Sequence, residues 1–174
     1  MENYFIVTSN VDGQFQKAGF DTNKIHEVHG SIHYLQCSKD CKSEIWEVSP
    51  EEIVVDMEKF ETNTIPKCVH CGAVARPNIM MFGDSEFSYM REVEQRQRYL
   101  AWLAGVKKRK EHLVIIELGA GLEIPTIQIL GNKLANKNKN YSLIRINPRD
   151  FEVSSQCGVS LAMGGLEGLV ELLR

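Results

Sequence analysis

No stretch of the 174 residues holds the roughly 18 to 20 consecutive apolar residues that a membrane helix needs. Met1-Glu2-Asn3-Tyr4 also lacks the basic and apolar segments of a secretory leader, so no membrane partner is expected and the default location is cytoplasmic. Positive charge is not in excess: 20 Lys and Arg stand against 23 Asp and Glu, a net of −3. That balance, with no basic and aromatic strip around the cysteines, argues against a nucleic-acid partner. Internal repeats and low-complexity tracts are absent as well. What is present is a 43% hydrophobic composition, enough for a real core and too much for wholesale disorder. The length suits one domain with a small inserted module.

Cysteine is the first informative residue. Five of them, an odd number, without a secretory address speak against a disulfide framework. Cys37-Ser-Lys-Asp-Cys41 is a C-x3-C and Cys68-Val-His-Cys71 a C-x2-C followed by Gly72, with 26 residues between the pairs. A short knuckle aims two thiolates at one ion, and Zn²⁺ takes four such ligands tetrahedrally. The spacing therefore predicts a zinc ribbon with Cys37, Cys41, Cys68 and Cys71 as ligands. His70, inside the second knuckle, is a rival that the spacing disfavours. Four protein ligands close the shell, which makes the zinc structural. Cys157, beside Gly158, is expected to be a small buried residue rather than a nucleophile.

Along the chain, Tyr4 to Thr8 is a short β-branched, apolar run expected as a buried strand, ending in the polar turn Ser9-Asn10-Val11-Asp12-Gly13. Gln14 to Ala18 predicts a short helix stopped by Gly19, and Ile25 to His29 a second strand closed by Gly30. Ile32 to Cys37 leads into the first knuckle, and Arg76-Pro77-Asn78 returns the chain from the zinc module. Within that module Ser49-Pro50-Glu51-Glu52 begins like a capped helix. Phe87 to about Lys110 turns helical, and its basic end, Lys107 to Lys110, suits a helix C-terminus. His112 to Leu118 is the strongest strand signal and runs into Gly119-Ala120-Gly121. A helix is expected from near Pro125, a strand at Tyr141 to Ile146, and a short apolar helix from Leu166 to Leu173. Strands alternating with helices imply a parallel α/β sheet with ligand loops at the strand carboxyl ends.

Those ends carry suggestive residues. Gly119, Ala120 and Gly121 would let backbone approach a phosphate or ribose, although small residues also serve crossover packing and the full G-x-G-x-x-G spacing is absent. Asn10 and Asp12 present an amide and a carboxylate, and ordinary turn-making accounts for them equally; Asn147-Pro148 is read the same way. His29 has the titration range of a general base.

Taken together the segments resemble the sirtuin family. Thr8-Ser9-Asn10-Val11-Asp12-Gly13 through Ala18-Gly19 is similar to T-Q-N-[IV]-D-x-L-H-x-x-A-G, and Glu27-Val28-His29-Gly30-Ser31 to E-[LVI]-H-G-[ST]. The paired cysteines match the family's zinc ribbon in position and order. Arg76 to Asp84 resembles R-P-x-[IV]-V-x-F-G-E, the glycine loop stands in place of G-T-S, and Ile146-Asn147 in place of I-N. The resemblance runs from about Tyr4 to Asn147. It implies a partial Rossmann-like parallel sheet, residues 1–36 and 81–174, with the zinc ribbon inserted at 37–80. It also implies NAD and zinc as cofactors and an acylated-lysine protein as substrate. Ser9, Asn10 and Asp12 would hold the nicotinamide end of NAD⁺, His29 would deprotonate a ribose hydroxyl, and Gly119, Ala120, Gly121 and Asn147 would contact phosphate and ribose.

Departures from the pattern point toward divergent bacterial sirtuins, including a branch that ADP-ribosylates proteins. Ser9 replaces Gln, Phe15 stands where the family usually has His, and Ala120 and Gly121 replace Thr and Ser. The family's opening G-A-G-x-S loop has no counterpart, which leads to the expectation of a truncated product or of a complementing N-terminal half as partner. Three functions stay open: an NAD-dependent deacylase, a protein ADP-ribosyltransferase, and a non-catalytic zinc-ribbon interaction module with a degenerate nucleotide cleft.

Overall fold

The computed structural model describes residues 3–49, 52–62, 64–153 and 158–174. Cys157, and Pro50 and Glu51 of the expected helix start, lie outside the described residues. Next to them the Ser49 N–H donates to Glu52 Oε1 at 3.2 Å and the Glu52 N–H to the Ser49 carbonyl at 3.0 Å. The first bond is the glutamate half of a capping box, and the second, to a main-chain carbonyl, closes an ordinary turn. Among the described residues no helix is long and apolar enough to cross a membrane.

The chain divides into two compact units, Met1–Trp102 and Leu103–Arg174. In the first, β1 (Ile6–Thr8) leads through helix α1 (Gln14–Lys17) to β2 (Ile25–Glu27), which pairs parallel with β1 in the register Ile6 with Ile25 and Thr8 with Glu27. A two-strand parallel ladder needs a crossover, and α1 with the turn Thr22–Lys24 supplies it. Strand β3 (Gly30–Cys37) then forms the centre of an antiparallel sheet, β4-β3-β7, with β4 (Ile45–Glu47) and β7 (Ala75–Ile79) at its edges. Pro77 is tolerated because β7 is an edge strand. Leu35, Val48 and Ala75 are buried together with Trp46 and Ile53 packed on them, so the ribbon has its own small core. A hairpin, β5 (Val55–Asp56) with β6 (Glu61–Thr62), extends from it. Phe15, at the position the family usually gives to His, lies edge-on to Phe20 at 5.8 Å, and Tyr4 meets the same ring at 5.6 Å.

Helix α2 (Met90–Arg109) starts three residues later than the periodicity suggests. Phe87, Ser88 and Tyr89 instead form its lead-in, where Ser88 N–H donates to Gln36 Oε1 at 3.0 Å and Asn78 Nδ2 donates to the Ser88 carbonyl at 3.0 Å. The second unit holds a parallel ladder β8-β9-β10, built from β8 (Leu113–Leu118), β9 (Tyr141–Ile146) and β10 (Gly158–Leu161). Helices α3 (Thr126–Ala135) and α4 (Gly165–Leu172) complete it. Leu143 and Ile146 are fully buried, each worth about 1.5–3 kcal/mol in transfer terms. Strand β8 buries Glu117 on one face and leaves Val114, Ile116 and Leu118 exposed on the other. The expected α/β architecture with parallel strands and a cysteine ribbon is what forms. Strands β3, β4, β5, β6, β7 and β10 have no counterpart among the strands expected from the sequence; β4, β5, β6 and β10 are only two to four residues long, and β3 and β7 enclose the cysteine ribbon.

Candidate functional site

Parallel pairing places the carboxyl ends of β1 and β2 side by side, and Val28 N–H continues the ladder to the Thr8 carbonyl at 2.9 Å. The loop that follows β1 therefore runs beside the turn that carries His29. Thr8 Oγ1 accepts the Asn10 N–H at 3.1 Å and Asp12 Oδ1 accepts the Gln14 N–H at 3.3 Å, so turn chemistry shapes the loop and launches α1. Asn10 itself is exposed, while Ser9, Asp12 and His29 are half-buried. Two bonds moor the loop to β3: Ile32 N–H to the Val11 carbonyl at 2.9 Å, and His33 Nε2 to the Asp12 carbonyl at 3.1 Å.

Burial pushes the His29 imidazole below its ordinary value, and a backbone hydrogen bond at Ser9 offsets part of that. A neutral imidazole at neutral pH is a competent proton acceptor. The turn is fixed on its other side by Met80 N–H donating to the His29 carbonyl at 3.0 Å. Gly30 has φ +82°, and a Cβ there would stand 1.9 Å from the Asn78 carbonyl oxygen, so no other residue fits after His29. Ser9, Asn10, Asp12 and His29 are thus brought together at one strand end.

Behind the turn lies a polar network that sequence reasoning missed. Glu27, 1% exposed, pairs with Arg91, and its N–H donates to Gln95 Oε1 at 2.9 Å. Gln95 Nε2 returns a bond to Glu27 Oε2 at 3.2 Å. His26 Nε2 meets Glu92 Oε1 at 2.8 Å, while burial, the largest influence, pushes its imidazole down against the pull of that carboxylate. The available signal was the i, i+4 spacing of Arg91 and Gln95, which puts them on one face of α2. Breaking such a buried pair typically costs about 3–5 kcal/mol, and here it anchors the strand that precedes His29.

The other predicted strand-end residues belong to the second unit. Asn147 is 5% exposed: its Nδ2 donates to the Ala120 carbonyl at 2.8 Å, and its Oδ1 accepts from the Arg149 and Asp150 N–H groups at 2.8 and 3.0 Å. Gln128 Nε2 bonds the same Ala120 carbonyl at 2.8 Å, and Leu122 N–H donates to Asp150 Oδ2 at 3.1 Å. Gly119, Ala120, Gly121 and Asn147 therefore form one braced loop after β8 and β9.

The four predicted ligands Cys37, Cys41, Cys68 and Cys71 converge, every Sγ lying within 4.8 Å of the others. Cys37 and Cys71 stand 3.6 Å apart and Cys41 and Cys68 3.5 Å apart. Tetrahedral Zn–S bonds of about 2.3 Å require S···S separations of about 3.8 Å, so the cluster fits that ion. Backbone N–H groups at Cys41 and Lys39 bring the Cys37 thiol down to about 6, while hydrogen bonding to Cys68 and burial push Cys41 up to about 12. His70 pairs with Glu44 and is not part of the cluster.

Against known proteins, 131 residues are 28% identical to a probable bifunctional ADP-ribose hydrolase/ADP-ribosyltransferase of Fusarium oxysporum f. sp. cubense, covering 71% of this chain and 22% of that protein. Over 171 residues the chain is 27% identical to an NAD-dependent protein deacylase of Aeropyrum pernix, covering 97% of this chain and 58% of that one. A protein ADP-ribosyltransferase of Staphylococcus aureus is 24% identical over 165 residues, covering 86% and 49% respectively. The chain spans less than two thirds of the length of each. A model of the Sir2 family matches residues 1–102, and with more than half of its length so matched, this chain belongs to the Sir2 family, the sirtuins that its motifs resemble.

Proposed function

We propose that this chain carries an NAD⁺-cleaving site in which His29 is the general base, acting in transfer of an acyl group from an acyl-lysine protein to ADP-ribose. The observation that carries it is His29, held neutral by burial beside the Ser9–Asp12 loop at the joint carboxyl end of β1 and β2. When bound, NAD⁺ supplies an anomeric carbon from which nicotinamide departs and a ribose hydroxyl that receives the acyl group. In this reading the exposed Asn10 amide and the half-buried Asp12 carboxylate orient the nicotinamide end, and Ser9 contributes backbone. His29 removes the ribose hydroxyl proton. Taken by itself, the second unit offers the Gly119-Ala120-Gly121 backbone, braced by Asn147, as a surface suited to a phosphate or a ribose. Fixing reactants in this way removes much of the entropy cost of attack. Cys37, Cys41, Cys68 and Cys71 would hold zinc as a clamp on β3, the strand that begins just after His29.

Names among the relatives favour a second reading, ADP-ribosyl transfer to a protein, in which the same base and loop serve a different acceptor. One experiment separates the two. Nicotinamide release from NAD⁺ is measured for the zinc-loaded chain with and without an acetyl-lysine peptide, beside His29→Ala. Deacylation gives peptide-dependent release that falls about 10²–10⁴-fold in the variant. Release without peptide, with label passing from NAD⁺ to protein, gives transferase activity. Absence of release in both arms sinks the NAD⁺-cleaving site. For the metal, a chelator is expected to remove about one zinc per chain and to abolish the ribbon's protected amides, as zinc sites of this type fold with their ion. Amide protection that survives full zinc loss would refute the clamp.

A further inference from the structure

We propose that His33 is a positioning residue for the Asn10–Asp12 loop, holding it in the form that receives the nicotinamide end of NAD⁺; this rests on the proposed role of that loop. His33 sits on β3, four residues after His29, and its Nε2 lies 3.1 Å from the Asp12 carbonyl oxygen. A carbonyl can only accept, so the ring nitrogen facing it carries the proton. The same ring closes over Gly13, where a Cβ would meet His33 Cδ2 and Nε2, each at 2.8 Å. Gly13 has φ +67° and is buried, so the loop turns into α1 directly against the imidazole.

The ring also borders a cavity of about 660 Å³, lined by Gly13, Gln16, Lys17, Tyr34 and Gln95 as well. The backbone of His33 is fixed within β3, and among the described residues the bond to the Asp12 carbonyl is the side-chain hydrogen bond that orients its ring. The loop has one further tie to β3, the Ile32 N–H to the Val11 carbonyl at 2.9 Å, which no side-chain substitution removes. His33 is therefore the one of the two moorings that chemistry can vary. Its bond is to the Asp12 main chain, which makes its action on the loop's side chains indirect.

The test compares His33→Ala and His33→Gln in the full zinc-loaded chain. Glutamine keeps an N–H donor within reach of the Asp12 carbonyl, and alanine keeps none. For alanine, KM for NAD⁺ is expected to rise about fivefold to tenfold, with a smaller change in kcat, as for loss of one oriented hydrogen bond. Glutamine is expected to recover most of that loss. Amide exchange across residues 10–14 should accelerate in the alanine variant alone, and ring ¹⁵N shifts of the native chain should show Nε2 protonated. Equal effects of the two substitutions, unchanged exchange at 10–14, or an unprotonated Nε2 would each overturn the assignment. If the native chain neither binds nor cleaves NAD⁺, the NAD⁺ reading falls, while the exchange and ring-nitrogen measurements still decide whether His33 holds the loop.

Discussion

Two parallel ladders end in asparagine-bearing loops, and the two asparagines do opposite things. Asn10 follows β1 in the first unit and is exposed, and among the described residues its backbone N–H alone is held, by Thr8. Asn147 follows β9 in the second unit, is 5% exposed, and commits both its donor and its acceptor to neighbouring backbone. In the first unit the side chain stays exposed, and the loop is moored through β3. In the second the side chain is the mooring, and backbone is what remains to present. A polar residue at a strand end is thus no guide to its role until its own hydrogen bonds are counted.

The sharpest way to break the contrast lies beneath the second loop. Arg145 and Glu117, 3% exposed each, are opposite in the β8-β9 register and share two bonds of 2.6 and 3.2 Å. Arg145 also donates to the Glu152 carbonyl at 2.7 Å and to Asn132 Oδ1 at 3.1 Å. Arg145→Ala leaves a buried carboxylate alone and is expected to cost about 3–5 kcal/mol in urea unfolding of the second unit. Next in size is Asn147→Ala, expected to cost about 1–3 kcal/mol because it strands the Ala120 loop. Asn10→Ala should change stability by no more than about 0.5 kcal/mol, since its side chain is exposed, yet lower nicotinamide release at least about tenfold. Equal stability losses for the two asparagine variants would erase the distinction.

The smallest expected effect is one of pH. His26 and His29, both in the first unit, have imidazoles held below their ordinary value of 6.5, with burial the first cause in each. Their folded forms favour the neutral ring, so the unfolded chain binds more protons over the interval between the folded and unfolded values. The stabilisation is complete above about pH 6.5 and is lost as pH falls through the folded values. Amide protection, corrected for the intrinsic exchange rate at each pH, should therefore weaken first around β1 and β2 as pH falls from 7 to 5. Weakening that begins in the second unit would contradict this. The same depression places the acid limb of any His29-dependent activity below the usual histidine range.

Much of this was readable in the chain. The β1, β8 and β9 runs are short, apolar and β-branched, and α2 announces itself by periodicity and a basic end. The cysteine knuckles were legible because ligand spacing within a turn is a local property, while the meeting of the two knuckles, across 27 and 34 positions, is made by the fold. Strands β5, β6 and β10 were not legible, since two to four residues carry no period to detect. Nor was the bond from His33 to Asp12, which joins residues 21 apart.

By itself the sequence determined the parallel α/β alternation, the four thiols and the motif order that places the chain among the sirtuins. Each of these is set by neighbours a few residues away. Tertiary structure alone decided that Glu27 would be buried against Arg91 and Gln95, that Glu117 would face Arg145, and that Asn147 would be consumed while Asn10 stayed open. The physical reason is that burial and hydrogen-bond satisfaction depend on what the rest of the fold brings to a side chain, and partners 27 to 68 positions away leave no local mark in the chain.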